Sequence, residues 1–575
     1  MRFELPISIS VLRNRFVPSG WDVLAFFLVM AFFIYFAEAA HGLTQSLAKL
    51  EATPISLDPH ALIGYSARTA LRMLIAMLAS LIFTFTYATL AAKSRRAEIV
   101  LVPLLDILQS VPILGFSSIT IVPFMSLTPG RVAGAEMACI FLIFTSQAWN
   151  MAFSFYQSLR TIPDELQEVA RSFRLSPWLR FWRLEVPFGM PQLIWNMMMS
   201  MSGGWFFVVV SEAMSVGHTT VTLPGVGSYV ALAIEQGNLA AIGWAIAAMF
   251  VVILVFDQLL FRPLIAGADW FRLEQETGFT SSGSWALTML RRSRLLNVTR
   301  TAFARLLHSG PKLQRAARAV RSDNPGHSRT GDLFYFVVLA VMGTIALWKA
   351  VSFVLAGVEI SEVGRVIYLG SLTLLRVVVL IALASLLWVP VGVYIGMRPR
   401  VANIVQPIAQ FLSAFPANLL FPVVVSAIVL LKVSPNIWLS PLMILGTQWY
   451  ILFNVIAGAS AIPTDMRHAS ENLKIRGWLW WRRVALPAVF PFYLTGAITA
   501  SGGSWNASIV AEVESWGHQK LTATGLGAYI SQATDAGDFR RIVLGIATMS
   551  LFVVLLNRFF WRPLYVRAER KFRLS

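Results

Sequence analysis

The chain has 575 residues, of which 57% are hydrophobic and only 13% charged, with a mean hydropathy of +0.66. A soluble domain carries roughly 25% charged residues, so the composition excludes a protein that wets its own surface and implies an integral membrane protein. The formal net charge of +18 would point to nucleic acid on a soluble chain, but here the basic residues gather in loops between apolar stretches, so no nucleic-acid role is inferred.

A spanning helix needs about 20 apolar residues. In chain order, such stretches predict helices near residues 21–40, 67–92, 99–125, 134–158, 188–213 and 238–262, then near 333–356, 368–396, 402–431, 438–461, 488–513 and 540–562. The expected fold is an all-α polytopic membrane protein with about twelve transmembrane helices. No secretory pattern is expected at the start, because three arginines and no long apolar run precede Trp21. Pro103 and Pro112 in the third stretch, and Pro407 and Pro416 in the ninth, predict kinked or broken helices. The single cysteine, Cys139, allows no intramolecular disulfide and no cysteine metal cluster.

Arg13, Arg15, Lys93, Arg95, Arg96 and the run from Arg171 to Arg183 fall on one side of the predicted spans. That asymmetry predicts cytoplasmic termini and a cytoplasmic central linker. Lys520, Arg540 and Arg541 fall on the other side. The organisation expected is a first repeat over 1–264, a basic linker over 265–331 and a second repeat over 332–575. Within the linker, Leu295, Val298, Ala302 and Leu306 recur at helical spacing among arginines, a pattern that fits a surface helix on an anionic leaflet or a solvated tether.

Sliding the chain against itself by 300 residues pairs Pro187 with Pro487, Trp205 with Trp505, Glu212 with Glu512, and Gly225-x-Gly227 with Gly525-x-Gly527. Upstream, an offset of 304 pairs Arg72 with Arg376 and Pro103 with Pro407. Matches at proline, glycine and tryptophan are not produced by hydrophobic composition alone, and they identify an internal duplication. Six predicted spans per half, an even number, give both halves the same orientation. A pseudo-two-fold axis along the membrane normal can then relate them, with a pathway between.

A basic loop ending in proline lies between the fourth and fifth spans of each half, over 162–191 and 462–491. Each reads as a short helix, a turn and a second helix entering the membrane. Asp164, Glu165 and Glu168 favour a helix N-terminus, with arginines following later. These loops resemble the EAA loop of binding-protein-dependent ABC importer permeases. Glu168-Val169-Ala170 stands at the EAA position, Phe181 at the aromatic position and Leu184-Glu185-Val186-Pro187 at the close. The second copy has His468-Ala469-Ser470, Trp481 and Val484-Ala485-Leu486-Pro487. Arg174 and Lys474 stand where the family has glycine, and His468 stands where it has the leading glutamate. Ser211-Glu212, Ala511-Glu512 and the Gly-x-Gly pairs are similar to the nitrate, sulfonate and bicarbonate (taurine-type) branch. The resemblance covers most of both halves, apart from the first and seventh spans and the linker.

The resemblance implies that both loops insert coupling helices into two copies of a separate ABC ATPase, where ATP and magnesium would bind. It also implies a possible external solute-binding protein and a small anionic solute. Glu165, Glu168, Val169, Ala170 and Arg174, with His468, Ala469, Ser470 and Lys474, are the expected coupling residues. The sequence contains no G-x-x-x-x-G-K-[ST] phosphate loop, so the chain itself is expected to be neither an enzyme nor a cofactor binder.

Ionisable residues inside a membrane are costly and point to function or pairing. Glu212, Glu512, Arg72 and Arg376 are therefore candidate pathway residues, with mutual ion pairs as the alternative. Gly203-Gly204-Trp205 and Gly503-Ser504-Trp505 read either as packing sites or as a gate. Gln109, Ser110 and Ser413 lie beside prolines, and Asn506 faces a phenylalanine at the equivalent position of the first half. His218 and His518 lack companions at metal-ligand spacing. Two other readings fit a parallel repeat: a gradient-driven secondary transporter that depends on Glu212 or Glu512, and a membrane scaffold that recruits cytoplasmic proteins through its loops.

Overall fold

Long apolar runs fold as helices because lipid offers backbone amides no partner outside the segment itself. The computed structural model of the protein describes residue 30 and residues 54–110, 113–216, 219–268, 288 and 329–572. Nearly all of the expected first span and of the linker, with its amphipathic stretch, lie outside the described residues.

In the first half the order is α1 (Ala61–Lys93), α2 (Arg95–Ser110), α3 (Ile113–Leu127), α4 (Ala133–Arg160), α5 (Asp164–Ser172) and α6 (Val186–Glu212). A hairpin of β1 (Ala213–Val216) and β2 (Thr219–Thr222) follows, then α7 (Val226–Glu235) and α8 (Leu239–Phe256). The second half repeats this order. It opens with α9 (Arg329–Leu355), α10 (Ile360–Gly396), α11 (Pro399–Ala414), α12 (Phe421–Leu431) and α13 (Gln448–Ser460). It continues with α14 (Thr464–Asn472), α15 (Leu486–Ala511), β3 (Val513–Trp516), β4 (Gln519–Thr522), α16 (Leu526–Asp535) and α17 (Phe539–Leu556). The two hairpins share one register, Ala213 opposite Thr222 and Val513 opposite Thr522. They are small β additions to an otherwise helical architecture.

Among the described residues, seven helices are long and apolar enough to cross a membrane, or nine if two bent pairs each count as one span. The expectation of about twelve is thus not confirmed. One bent pair is the predicted ninth span, where Pro399–Ala414 and Ala417–Leu431 meet at 79° around Pro416. The other, Pro435–Leu445 with Gln448–Ser460, bends by 46° near Gly446 without a proline at the break, which the pattern of apolar residues did not reveal. Single π turns recur at equivalent places: Phe181–Glu185 and Trp481–Ala485 lead into α6 and α15, and Asp257–Phe261 and Asn557–Trp561 follow α8 and α17.

By contacts the chain divides into two units, one of residues 1–42, 154–198 and 254–327, the other of 43–153, 199–253 and 328–575. The second unit holds a large apolar core built on Val377, Ile451, Val455, Ala497 and Trp505. Within it, elements of both halves meet. Gly517 N donates to Ile234 O at 2.8 Å, Asn418 Nδ2 to Phe206 O at 3.2 Å, and Phe250 packs edge-on against Phe411 at 4.6 Å. In the first unit, α6 passes close to α4 at Gly189, where an added Cβ would come within 2.7 Å of the Phe155 ring. Asn196 Nδ2 donates to Ser154 Oγ at 2.8 Å across the same contact.

Candidate functional site

Three features carry chemistry: a buried ion-pair cluster in each half, a cavity in the second unit, and the two short-helix loops. α6 ends at Glu212, and the chain turns through the β1–β2 hairpin before entering α7 at the Gly-x-Gly pair. The Glu212 carboxylate therefore lies under the N-terminus of α7. Its Oε1 accepts from Arg72 Nη1 at 2.6 Å and Thr69 Oγ1 at 2.7 Å, and its Oε2 accepts from Gly227 N at 2.7 Å. Arg72 also grips Glu136 with two parallel bonds of 2.6 Å. All three charged residues are buried.

In the second half Glu512 Oε1 accepts from Thr373 Oγ1 at 2.8 Å and Arg376 Nη1 at 3.0 Å, and Oε2 accepts from Ala528 N at 3.0 Å. Asn436 stands where the first half has Glu136, and its Oδ1 accepts from Arg376 Nη2 at 3.4 Å. Two carboxylates share one guanidinium in the first half, whereas the second half pairs one with one.

The glycines follow from this geometry. A Cβ on Gly225 or Gly525 would run into the Glu212 or Glu512 carboxylate, and a Cβ on Gly227 or Gly527 into the carbonyl of Val209 or Ser508. Only bare backbone comes close enough for the amides of α7 and α16 to reach the carboxylates.

A cavity of about 670 Å³ opens between α4, α6, α13, α15 and the end of α17 within the second unit. Gln109, Gly203, Ser413, Gly503 and Asn506 line it, as do Ser200, Thr447 and Thr499. Among the described lining residues there is no carboxylate, and the charges are those of Arg558 and Arg562. Asn506 does more than line the wall. Its Oδ1 accepts from the backbone N of Ile113, the first residue of α3, at 2.7 Å. A side chain of the second half thereby caps a helix of the first. Ser202 Oγ donates to Ser413 O across the same seam.

Arg72, Glu212, Arg376 and Glu512 do not line the cavity but sit in the ion-pair clusters. Trp205 and Trp505 are also absent from the lining and are buried, with the Trp505 ring 6.1 Å from Phe552. The side chain of Ser110, like His218, lies outside the described residues. Thr69, Thr373, Glu136 and Asn436 escaped the sequence reading, although Thr69 and Thr373 match at the 304-residue offset and Glu136 and Asn436 at 300. Trp149, Asn557, Arg558, Trp561 and Arg562 were missed as well.

The two loops share one backbone. α5 and α14 both start after a proline and end with Arg174 and Lys474 at φ of +48° and +54°. Arg174 N donates to Arg171 O and Leu175 N to Ala170 O; Lys474 N donates to Glu471 O and Ile475 N to Ser470 O. This paired reversal is the Schellman ending, whose left-handed residue is usually glycine. Ala170 and Ser470 are buried beneath the loops, while Glu165, Glu168, Val169, His468 and Ala469 are exposed. Phe173, 76% exposed, and Leu473, 72% exposed, sit at the helix ends and present apolar surface that the motif reading did not single out.

Residues 85–262 and 388–562 each match the family described as "Binding-protein-dependent transport system inner membrane component", together more than half of the chain. The nitrate import permease protein NrtB of Synechocystis is 27% identical over 201 residues, covering 35% of this chain and 70% of its own length. The bicarbonate transport system permease protein CmpB of Synechococcus elongatus is 28% identical over 192 residues, covering 33% of this chain and 65% of its own length. The taurine transport system permease protein TauC of Escherichia coli is 26% identical over 187 residues, covering 32% and 64%. Each match thus spans about one repeat of this longer chain and about two thirds of the relative. The chain belongs to the binding-protein-dependent transport system inner membrane component family and carries that family's membrane unit twice.

Proposed function

We propose that the protein is the translocation subunit of an ATP-driven importer for a small anion, such as nitrate, bicarbonate or a sulfonate, with both membrane halves in one chain. The observation that carries this reading is the pair of loops with one backbone, each ending a short exposed helix in a locked reversal. Such a helix is a rigid knob that transmits a push without absorbing it. Two ABC ATPase subunits, loaded with ATP and magnesium, would each seat one knob, and their closure would rock the halves about the cavity. An external solute-binding protein would deliver the anion at the hairpin side, with the loops, linker and termini in the cytoplasm.

The cavity supports the anion class, since its described lining holds guanidiniums and no carboxylate. A gradient-driven carrier would need an exchangeable carboxylate, yet both oxygens of Glu212 and of Glu512 are taken by donors. The test is co-purification with the partner ATPase, comparing wild type with Glu168→Arg plus Ala469→Arg. A complex that the double substitution abolishes is expected. A chain that purifies alone and transports without an ATPase would defeat the reading.

A further inference from the structure

The end of the last span differs from its counterpart in the first half in a way that a duplication alone does not require. In the first half the π turn Asp257–Phe261 carries a carboxylate, and Asp257 Oδ2 accepts from Arg262 Nε at 3.0 Å and from Gln258 Nε2 at 3.1 Å. That guanidinium is neutralised within its own turn. In the second half the equivalent turn reads Asn557-Arg558-Phe559-Phe560-Trp561, followed by Arg562. Asparagine replaces the carboxylate, a second arginine replaces Gln258, and an indole replaces the ring of Phe261. Neither Arg558 nor Arg562 makes a hydrogen bond or ion pair among the described residues, and both line the cavity. Trp561 also lines it, and its buried indole Nε1 has no acceptor. Trp149, on the first-half wall of the cavity, has a second buried indole N–H without a partner.

We infer that Asn557, Arg558, Trp561 and Arg562 form an anion-binding station for a small oxoanion in the cavity, an assignment that rests on the importer reading and adds where the solute is held. Residues 558 and 562 are one turn apart and share a face. Guanidinium forks match the paired oxygens of an oxoanion, and an orphaned N–H supplies a further donor whose present burial without an acceptor is costly. A helix that merely ended in arginines under the positive-inside rule would not also discard its carboxylate and leave an indole N–H unpaired. The equivalent turn of the first half, with Asp257 and Gln258 in place of Asn557 and Arg558, lacks these groups, so the station belongs to the second half's turn.

The experiment titrates the full chain in phosphatidylcholine nanodiscs with nitrate, bicarbonate and methanesulfonate, reading tryptophan fluorescence, with parallel discs containing phosphatidylglycerol. At least one anion is expected to bind in the neutral lipid. Asn557→Asp and Arg558→Gln should each weaken that binding tenfold or more, while Lys520→Gln on the β3–β4 hairpin leaves it unchanged. Asn557→Asp restores the first half's own arrangement, so it should fold, and size-exclusion profiles verify this for both variants. Binding equal in wild type and Asn557→Asp would overturn the station. So would anion binding absent in neutral lipid with phosphatidylglycerol quenching Trp561 instead, which would make the arginines a headgroup site. ATP-driven uptake in proteoliposomes separates the failures. Uptake that ignores Asn557→Asp removes the station and leaves the importer, whereas absent uptake of every anion removes the importer reading beneath it.

Discussion

Glu136 is the sharpest test of the buried clusters, because the second half already contains its neutral replacement, Asn436. Around Arg72 the side chains of Arg72, Glu136 and Glu212 are 0%, 5% and 0% exposed, so the cluster buries one more negative charge than positive. Arg72→Ala would strand two carboxylates. Removing one partner of a buried pair costs about 3–5 kcal/mol, and here two carboxylates lose their partner, so the loss should reach at least the top of that range. Arg376→Ala strands only Glu512, whose Thr373 and Ala528 donors remain, at a site where Arg376 is already 16% exposed. Its cost should lie at or below the bottom of the range. Glu136→Gln gives up charge-assisted bonds worth about 1.5–3 kcal/mol but removes the uncompensated charge, so its net effect should be within about 1 kcal/mol of zero as the two terms offset. Unfolding of the purified protein titrated with sodium dodecyl sulfate would rank the variants Arg72→Ala, then Arg376→Ala, then Glu136→Gln. If Glu136→Gln destabilises as much as Arg72→Ala, the charge count of the cluster is wrong.

Other consequences can be checked in the same preparation. Gly525→Ala pushes a methyl group into the Glu512 carboxylate and should cost about 1–3 kcal/mol or more as overpacking. Gly502→Ala meets nothing within 4 Å and should be neutral or gain about 0.5–1 kcal/mol from helix propensity; thermal melting of both variants reads the contrast. Arg174→Gly and Lys474→Gly each remove a side chain from a left-handed residue and should stabilise by about 1 kcal/mol, visible as a raised melting temperature with ATPase binding retained. Glu514, half-buried on the β3–β4 hairpin, has its carboxyl pushed up to about 8 by burial, above the ordinary value of about 4.3. The unfolded chain then ionises before the folded one, so stability should fall as pH rises from about 4.3 towards 8 and level off above it. Glu514→Gln should flatten that slope in melts across the range, and a slope that survives the substitution would refute the assignment.

Hydropathy located every long span that the structure describes, because 18 or more apolar residues have no other stable place than a membrane helix. The 300-residue offset revealed the duplication through Pro, Gly and Trp, residues whose backbone or size demands recur only when a structure recurs. The same comparison held Thr69 with Thr373 and Glu136 with Asn436, but nothing in an isolated threonine or glutamate says which residue it will meet. The bend at Gly446 was hidden for a related reason. No proline marks it, and the contact made beside it, Thr447 Oγ1 to Ser504 Oγ at 3.1 Å on a neighbouring helix, exists only once distant segments meet.

By itself the sequence determined the membrane class, the doubled organisation and the family of the loops, since these rest on composition, periodicity and local motifs that need no partner. Tertiary structure alone decided the fate of the polar residues. It set Arg72, Glu212, Arg376 and Glu512 in ion pairs beneath the Gly-x-Gly turns, outside the lining of the cavity. It also turned Asn506 into a cap for α3 and brought Arg558 of the last π turn, with Arg562 just after it, to the cavity. Those outcomes depend on which side chains distant segments present to one another, and a buried charge takes whichever counter-charge the fold delivers within 3 Å.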